Sequence, residues 1–255
     1  MSFPSAFLGV ENSLSGRYWQ SRIDHDAPAL EICQKLGVPD LVGRVLAGRG
    51  VEAEAAADFL NPTLRAFLRD PYVIQDMKKA ALRIAAAIAQ GESIAIFGDY
   101  DVDGATSSAL LQRFFNHLGI TPQIYIPDRI SEGYGPNSKA FASLADAGTR
   151  LIITVDCGTS SFEPMAQMAE RGVDVVVLDH HIAGEALPQA HALVNPNRHD
   201  DTSGYGQLAA VGVTFMLVVA LNRVLREQAF YGPDCPEPDL RQWLDLVALG
   251  TVCDV

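Results

Sequence analysis

Ser93-Ile94-Ala95-Ile96-Phe97-Gly98-Asp99-Tyr100-Asp101-Val102-Asp103-Gly104 is a short apolar run that gives way to three alternating carboxylates, after which a helical pattern runs from Ala105 to about His117. An apolar run this short, closed by glycine, reads as a strand buried on both faces. The same order recurs at Leu151–Asp156, followed by Cys157-Gly158-Thr159-Ser160, and at Asp174–Leu178, followed by Asp179-His180-His181. Gln123–Pro127 and Ala192–Asn195 read as two further strands, with helices over about 76–90, 138–147 and 161–171 between them. This alternation specifies an α/β fold, a parallel five-stranded sheet with helices on both faces. Ligands of such sheets bind beyond the carboxyl ends of the strands, at a topological switch point. Asp99–Asp103, Asp156 and Asp179–His181 all fall at those ends.

Carboxylates and imidazoles converging from several strand ends suit a divalent-metal site for phosphate chemistry. Asp101 and Asp103 are expected on a turn, facing one point while Val102 faces the core. Gly104 is expected to permit the turn, and the amides opening the helix at Ala105 to favour an anion. Taken alone, this stretch would serve equally as an Asx-rich turn with a helix cap, and Asp156 as a cap. Two adjacent histidines after Val175–Leu178 have fewer structural uses, and neutral imidazole is a common metal ligand. Gly250-Thr251-Val252-Cys253-Asp254-Val255, after the helix-like Trp243–Leu249, adds Asp254. The set is large enough for two ions that share a carboxylate. Mixed Asp/His ligation favours Mn²⁺, with Mg²⁺ a second possibility, and zinc is compatible by ligand type. His199-Asp200-Asp201 lies in a polar stretch and reads as a solvated loop.

A net charge of −12 over 255 residues argues against nucleic-acid binding through the whole surface. Such a role would need metal ions, a local basic groove or a region outside this chain. The four cysteines form no Cys-x-x-Cys pair, so neither a zinc ribbon nor a disulfide framework is indicated. There is no signal-peptide pattern. Leu208–Leu221 is too short to span a bilayer and reads as a buried helix. The expectation is a cytoplasmic protein with no membrane partner.

The first ~70 residues are helical in flavour, with amphipathic stretches around Asp40–Gly48 and Glu52–Leu60. Asn61-Pro62 and Asp70-Pro71 are breaks. The expected organisation is a helical N-terminal region over 1–70 and a catalytic domain over 71–255. The end of the chain, in mid-pattern at Val255, suggests a catalytic half separated from a second half.

In their order and content, Asp-Tyr-Asp-Val-Asp-Gly, Asp-Cys-Gly, Asp-His-His and Gly-Thr-Val-x-Asp-Val resemble the four motifs of the DHH phosphoesterase superfamily. Further stretches resemble its single-stranded-DNA-specific 5′→3′ exonuclease branch: Asp70–Met77, Gly133-Tyr134-Gly135-Pro136-Asn137, Val194-Asn195-Pro196 and Leu208–Val213. Phe97 stands where the pyrophosphatase branch has a metal-binding histidine, and Cys253 where the exonucleases usually carry alanine. The resemblance implies that Asp101, Asp103, Asp156, His180 and Asp254 hold metal, with Asp156 bridging two ions. It implies that His181 contacts the scissile phosphate or assists its leaving group, and that Asp99 is a ligand or supports one. It also implies a second, substrate-binding domain outside this chain, a single-stranded DNA substrate, a role in repair and recombination, and a single-strand-binding protein and a helicase as partners.

Arg129, Tyr134 and Lys139 are candidates for nucleic-acid contact around the Gly133–Asn137 loop, although solvated surface charge and local packing account for them equally well. Two other readings stay open. One is a DHH hydrolase of short oligonucleotides, dinucleotides or small phosphoesters. The other is a non-catalytic DHH-fold scaffold for DNA or replication proteins.

Overall fold

The computed structural model describes residues 6–254; Val255, the last residue of the fourth motif, lies outside them. They form two compact units divided between Leu68 and Arg69.

The first unit is helical: α1 (Ala27–Leu36), α2 (Asp40–Ala47), α3 (Ala56–Leu60) and α4 (Leu64–Phe67). Ile32, Leu46, Ala53 and Ala56 are its small buried core. Of the expected Glu52–Leu60 stretch only the last five residues are helical.

The second unit opens with α5 (Met77–Gln90) and then alternates: β1 (Ile94–Phe97), α6 (Val102–His117), β2 (Gln123–Tyr125), α7 (Ser138–Asp146), β3 (Leu151–Val155), α8 (Phe162–Glu170), β4 (Asp174–Leu178), β5 (Ala192–Val194), α9 (Ala210–Glu227) and α10 (Leu244–Cys253). The strands pair in the order β2-β1-β3-β4-β5, all parallel. The chain leaves β1 for β2 on one side and returns to β3 on the other. The switch point therefore lies between the carboxyl ends of β1 and β3, as the rule for open α/β sheets requires.

Side chains alternate across the sheet. Ala95, Phe97, Ile152, Val175, Val177 and Leu193 face α7 and α8, packing on Phe141, Leu144, Met165 and Met168. Ile94, Ile96, Ile153, Val155, Val176 and Leu178 are buried as well, and α6 and α9 pack against β1, β3 and β4. With both faces covered, the central strands can be continuously apolar, which is why they are legible as runs. α9 extends beyond the expected Leu208–Leu221, to Glu227.

The two edges of the sheet differ in charge. At the amino end of β4, Arg83 donates to Asp174 at 2.5 Å and to Glu92 at 2.6 Å. At the carboxyl edge, among the described residues, no lysine or arginine pairs with Asp99, Asp101, Asp103, Asp156 or Asp254; only His180 approaches the last three.

Candidate metal centre

The first motif folds differently from the turn read in the sequence. Asp101 is the N-cap of α6: its Oδ1 accepts from the amide of Gly104 at 2.9 Å, so its own carboxylate occupies the helix N-terminus expected for an anion. The helix thus begins at Val102, one turn before Ala105, and Val102 is exposed instead of facing the core. Gly104 lies within this helix, and close approach explains it better than a turn does. A Cβ there would come within 2.7 Å of the Asp99 backbone, which only glycine avoids.

Asp103, in the first turn of α6, is buried, and both its oxygens are used by a distant helix. Oδ2 accepts from the amide of Ala210 at 2.6 Å and Oδ1 from that of Val211 at 2.8 Å, the first turn of α9. Burial still holds its carboxyl above the usual range against those amides. Gly250 on α10 packs over this contact, where a Cβ would meet Thr106 Oγ1 at 2.5 Å and Asp103 Oδ1 at 3.1 Å.

Asp156 follows β3 in the left-handed region at φ 62°, a conformation that Asp and Asn tolerate better than most residues. Burial first, and then the nearby charges of Asp103 and Asp101, push its carboxyl up to about 7, against the hydrogen bond from His180. His180 Nε2 lies 3.3 Å from Asp156 Oδ1 and 3.8 Å from Asp103 Oδ2, and its Nδ1 lies 3.7 Å from Asp254 Oδ2. The hydrogen bond with Asp156 holds the imidazole above its ordinary pKa. Asp254 is the C-cap residue of α10. Asp99 is buried, which raises its carboxyl, and its Oδ1 has no hydrogen-bond partner among the described residues.

His181 is half exposed, and its Nδ1 lies 2.7 Å from Asp179 Oδ1, a contact that raises the imidazole to about 9. Asp179 is buried and also accepts from the amides of His180, at 2.8 Å, and Thr159, at 2.9 Å. Burial alone would push its carboxyl up; the bonds from His181 and Thr159 outweigh that and bring it down to about 2. Tyr134 donates to the Asp156 carbonyl at 2.9 Å and meets the His181 ring edge-on at 5.9 Å.

The ligand atoms fall into three overlapping groups, each within 4.8 Å: Asp99–Asp101–Asp156, Asp156–His180–His181 and Asp103–His180–Asp254. Asp156 and His180 link all three. This donor set fits divalent cations: carboxylate oxygens dominate, imidazole nitrogen joins them, one buried oxygen lacks a partner, and among the described residues no lysine or arginine pairs directly with these carboxylates.

The three nucleic-acid candidates are placed differently. Tyr134 belongs to the cluster. Arg129 stands 5.1 Å over the ring of Tyr100, with its charge felt at Asp99. Lys139, on the first turn of α7, lines a separate depression with Tyr125, Glu132 and Asn137. His199-Asp200-Asp201 forms no cluster: Asp200 pairs with Arg198, and Asp201 accepts from Ser203 and the amide of Gln75. The sequence reading missed the roles of Asp179, Asn195 and Asn197 around the histidines. The available signal was the place of Asp179 and Asn195 at the ends of apolar runs, Asn195 being followed directly by proline; Asn197, two residues further on, carried none.

A sequence model described as the DHH family, N-terminal domain, matches residues 93–251. The chain belongs to the DHH family. Within it, the chain is 39% identical to the single-stranded-DNA-specific exonuclease RecJ of Bacillus subtilis over 93% of its own length, spanning 28% of that protein. The crystal structure of exonuclease RecJ bound to manganese matches at 33% identity and a TM-score of 0.61, over 71% of this chain and 44% of that one. The Mn²⁺ complex of RecJ from Thermus thermophilus matches at 28% identity and a TM-score of 0.71, over 91% of this chain and 31% of that one. The chain thus spans less than half the length of these DHH relatives. No described helix is long and apolar enough to cross a membrane.

Proposed function

We propose that this chain is the catalytic core of a single-stranded-DNA-specific 5′→3′ exonuclease that hydrolyses phosphodiesters with two divalent ions, Mn²⁺ before Mg²⁺, in DNA repair and recombination. The observation that carries the reading is the meeting of Asp156 and His180, 3.3 Å apart, in the middle group of ligand atoms, which each of them joins to one of the other two. The likeness to manganese-bound RecJ structures supports the choice of metal and substrate.

Asp101, Asp103, Asp156, His180 and Asp254 would hold the ions, which when bound supply Lewis-acid stabilisation of the phosphoryl oxygens and a water of lowered pKa. Asp99 adds a buried carboxylate whose free oxygen can support a ligand or become one. His181, with Nδ1 held by Asp179, presents Nε2 as a donor to the scissile phosphate or its leaving oxygen. Tyr134 stays protonated, because burial pushes its hydroxyl well up. It fixes the Asp156 loop while exposing a ring on which a base can stack. Arg129 offers charge to the backbone of a strand. Lys139 would meet only a strand that also passes over α7.

In this reading residues 71–255 form the catalytic unit and 1–70 a helical region before it. The substrate partner is single-stranded DNA, with a single-strand-binding protein and a helicase as protein partners, and the location is the cytoplasm.

Hydrolysis of a long 5′-phosphorylated single strand, its duplex and a dinucleotide, with Mn²⁺, tests the proposal against Asp156→Asn. Mononucleotides from the single strand only, lost in the variant, are expected. Cleavage of the dinucleotide alone would instead favour a hydrolase of short substrates.

A further inference from the structure

Asn195 stands one residue beyond β5 and is 0% exposed. A polar amide is kept at that depth only with its partners, and these define a closed ring. Its Nδ2 donates to Thr159 Oγ1 at 2.9 Å and to the His181 carbonyl at 2.8 Å, and its Oδ1 accepts from the amide of Asn197 at 2.8 Å. The Thr159 amide donates to Asp179 Oδ2 at 2.9 Å, and Asp179 Oδ1 accepts from the His181 amide at 3.2 Å. Asn195, Thr159, Asp179 and His181 are thus joined in one circuit across the segments that follow β3, β4 and β5.

Asn197 reinforces it, donating through Nδ2 to the His180 carbonyl at 2.5 Å and to the Gly206 carbonyl at 3.1 Å. The peptide groups of both histidines are therefore held from two sides. Asp179 takes their N–H groups, and the two asparagines take their carbonyls.

We propose that Asn195 is a positioning residue that sets the His180–His181 pair against Asp156, and so fixes the distance at which the β3 and β4 segments share a cation. The inference rests on the metal reading above. Asp156 and Thr159 belong to the same segment, so a slip between it and the histidines appears directly at the 3.3 Å contact of Asp156 with His180. Without the Asn195 donors, the Thr159 side chain loses its tie to the histidines and only the bond from its amide to Asp179 remains.

The test is Mn²⁺ binding to the full chain, read from the electron paramagnetic resonance signal of the free ion. Asn195→Asp keeps the size of the side chain and its acceptor but removes both donors. Thr159→Val removes the acceptor at nearly constant shape, and Thr159→Ser restores it. Asn195→Asp and Thr159→Val are expected to weaken Mn²⁺ binding by about tenfold or more, the range for losing a group that orients a ligand, with Thr159→Ser binding as the parent does. Parental affinity in both, in chains that circular dichroism shows to be folded, overturns the proposal. If Asn195→Asp does not fold, the Thr159 pair decides alone. If the parent binds no Mn²⁺, the metal reading fails, and the imidazole ¹⁵N–¹H signals of His180 and His181 decide the positioning role. Signals displaced in Thr159→Val but not in Thr159→Ser support it; signals unmoved in both overturn it.

Discussion

Asp103 caps a helix that begins 107 residues later: its Oδ2 accepts from the amide of Ala210 at 2.6 Å, while its other oxygen takes the amide of Val211. A carboxylate placed so is favoured by the partial positive charge of the helix start, and it sits 3.8 Å from His180 Nε2. One side chain therefore serves both the packing of α6 on α9 and the candidate metal centre.

Replacing it as Asp103→Asn separates the two duties poorly, and that is the expected signature. The amide keeps one acceptor but turns a donor toward the second buried N–H. A loss of about 2 kcal/mol, typical of a charged hydrogen bond left unmade, should appear as a lower urea midpoint in the metal-free chain. Mn²⁺ binding should fall in the same variant. Unchanged stability would mean that the α9 amides find other partners.

Asp156 allows a cleaner separation. At φ 62° it occupies a conformation that asparagine visits readily and alanine does not. Asp156→Asn and Asp156→Ala should both abolish Mn²⁺ binding, but the alanine variant should be about 1 kcal/mol less stable than the asparagine variant. Equal thermal midpoints would show that the left-handed turn carries no strain.

Proton competition supplies a pH test. In the metal-free chain the Asp156 carboxyl is pushed up to about 7, chiefly by burial. A cation binds the ionised carboxylate and the neutral imidazole, so Mn²⁺ affinity should fall as pH drops below about 7, by about tenfold per pH unit for each proton displaced. His180, held above its ordinary pKa, adds a second proton to that of Asp156. The raised pKa of Asp156 makes its ionised group unfavourable to the fold: its stabilising contribution is present at low pH and lost as pH rises through about 7. Added Mn²⁺ should therefore raise the melting temperature more at about pH 8 than at about pH 6, and an equal rise at both would contradict the assignment.

Gly250 makes a prediction that lies outside the ligand set. Gly250→Ala would press a methyl group to 2.5 Å from Thr106 Oγ1 and 2.7 Å from Val211 Cγ1. Overpacking of this kind costs about 1–3 kcal/mol, and because the neighbours carry Asp103, Mn²⁺ affinity should fall with it. A chain of parental stability and affinity would show that α10 can shift freely.

Those contacts also show what was readable in the sequence. The four apolar runs at Ile94, Leu151, Asp174 and Ala192 announce their strands because both faces of the sheet are covered. Apart from Asp254, which ends α10, the acids and histidines that cluster are the ones their strand-end positions singled out. Sequence alone starts α6 a turn late because Asp101-Val102-Asp103-Gly104 has the composition of a turn, in which Asp101 serves as the helix cap and Asp103 is already within the helix. The α9 amides on Asp103 and the Asn195 ring join residues far apart in sequence, for which no local pattern exists. Lys139 reads as close to the site because it follows the Gly133–Asn137 loop, but α7 carries it beside Glu132.

The strand order has a consequence for motion. Apart from Asp254 at the end of α10, the acids and histidines follow β1, β3 and β4, the three strands paired on both sides. Arg129 and Tyr134 follow β2, a three-residue margin paired only with β1. Short edge strands open first in native-state exchange, because few bonds hold them. The residues proposed to meet a nucleic-acid strand thus follow the lightly held edge of the sheet, with Tyr134 tied back to the Asp156 carbonyl, while most of the candidate metal ligands follow strands anchored on both sides.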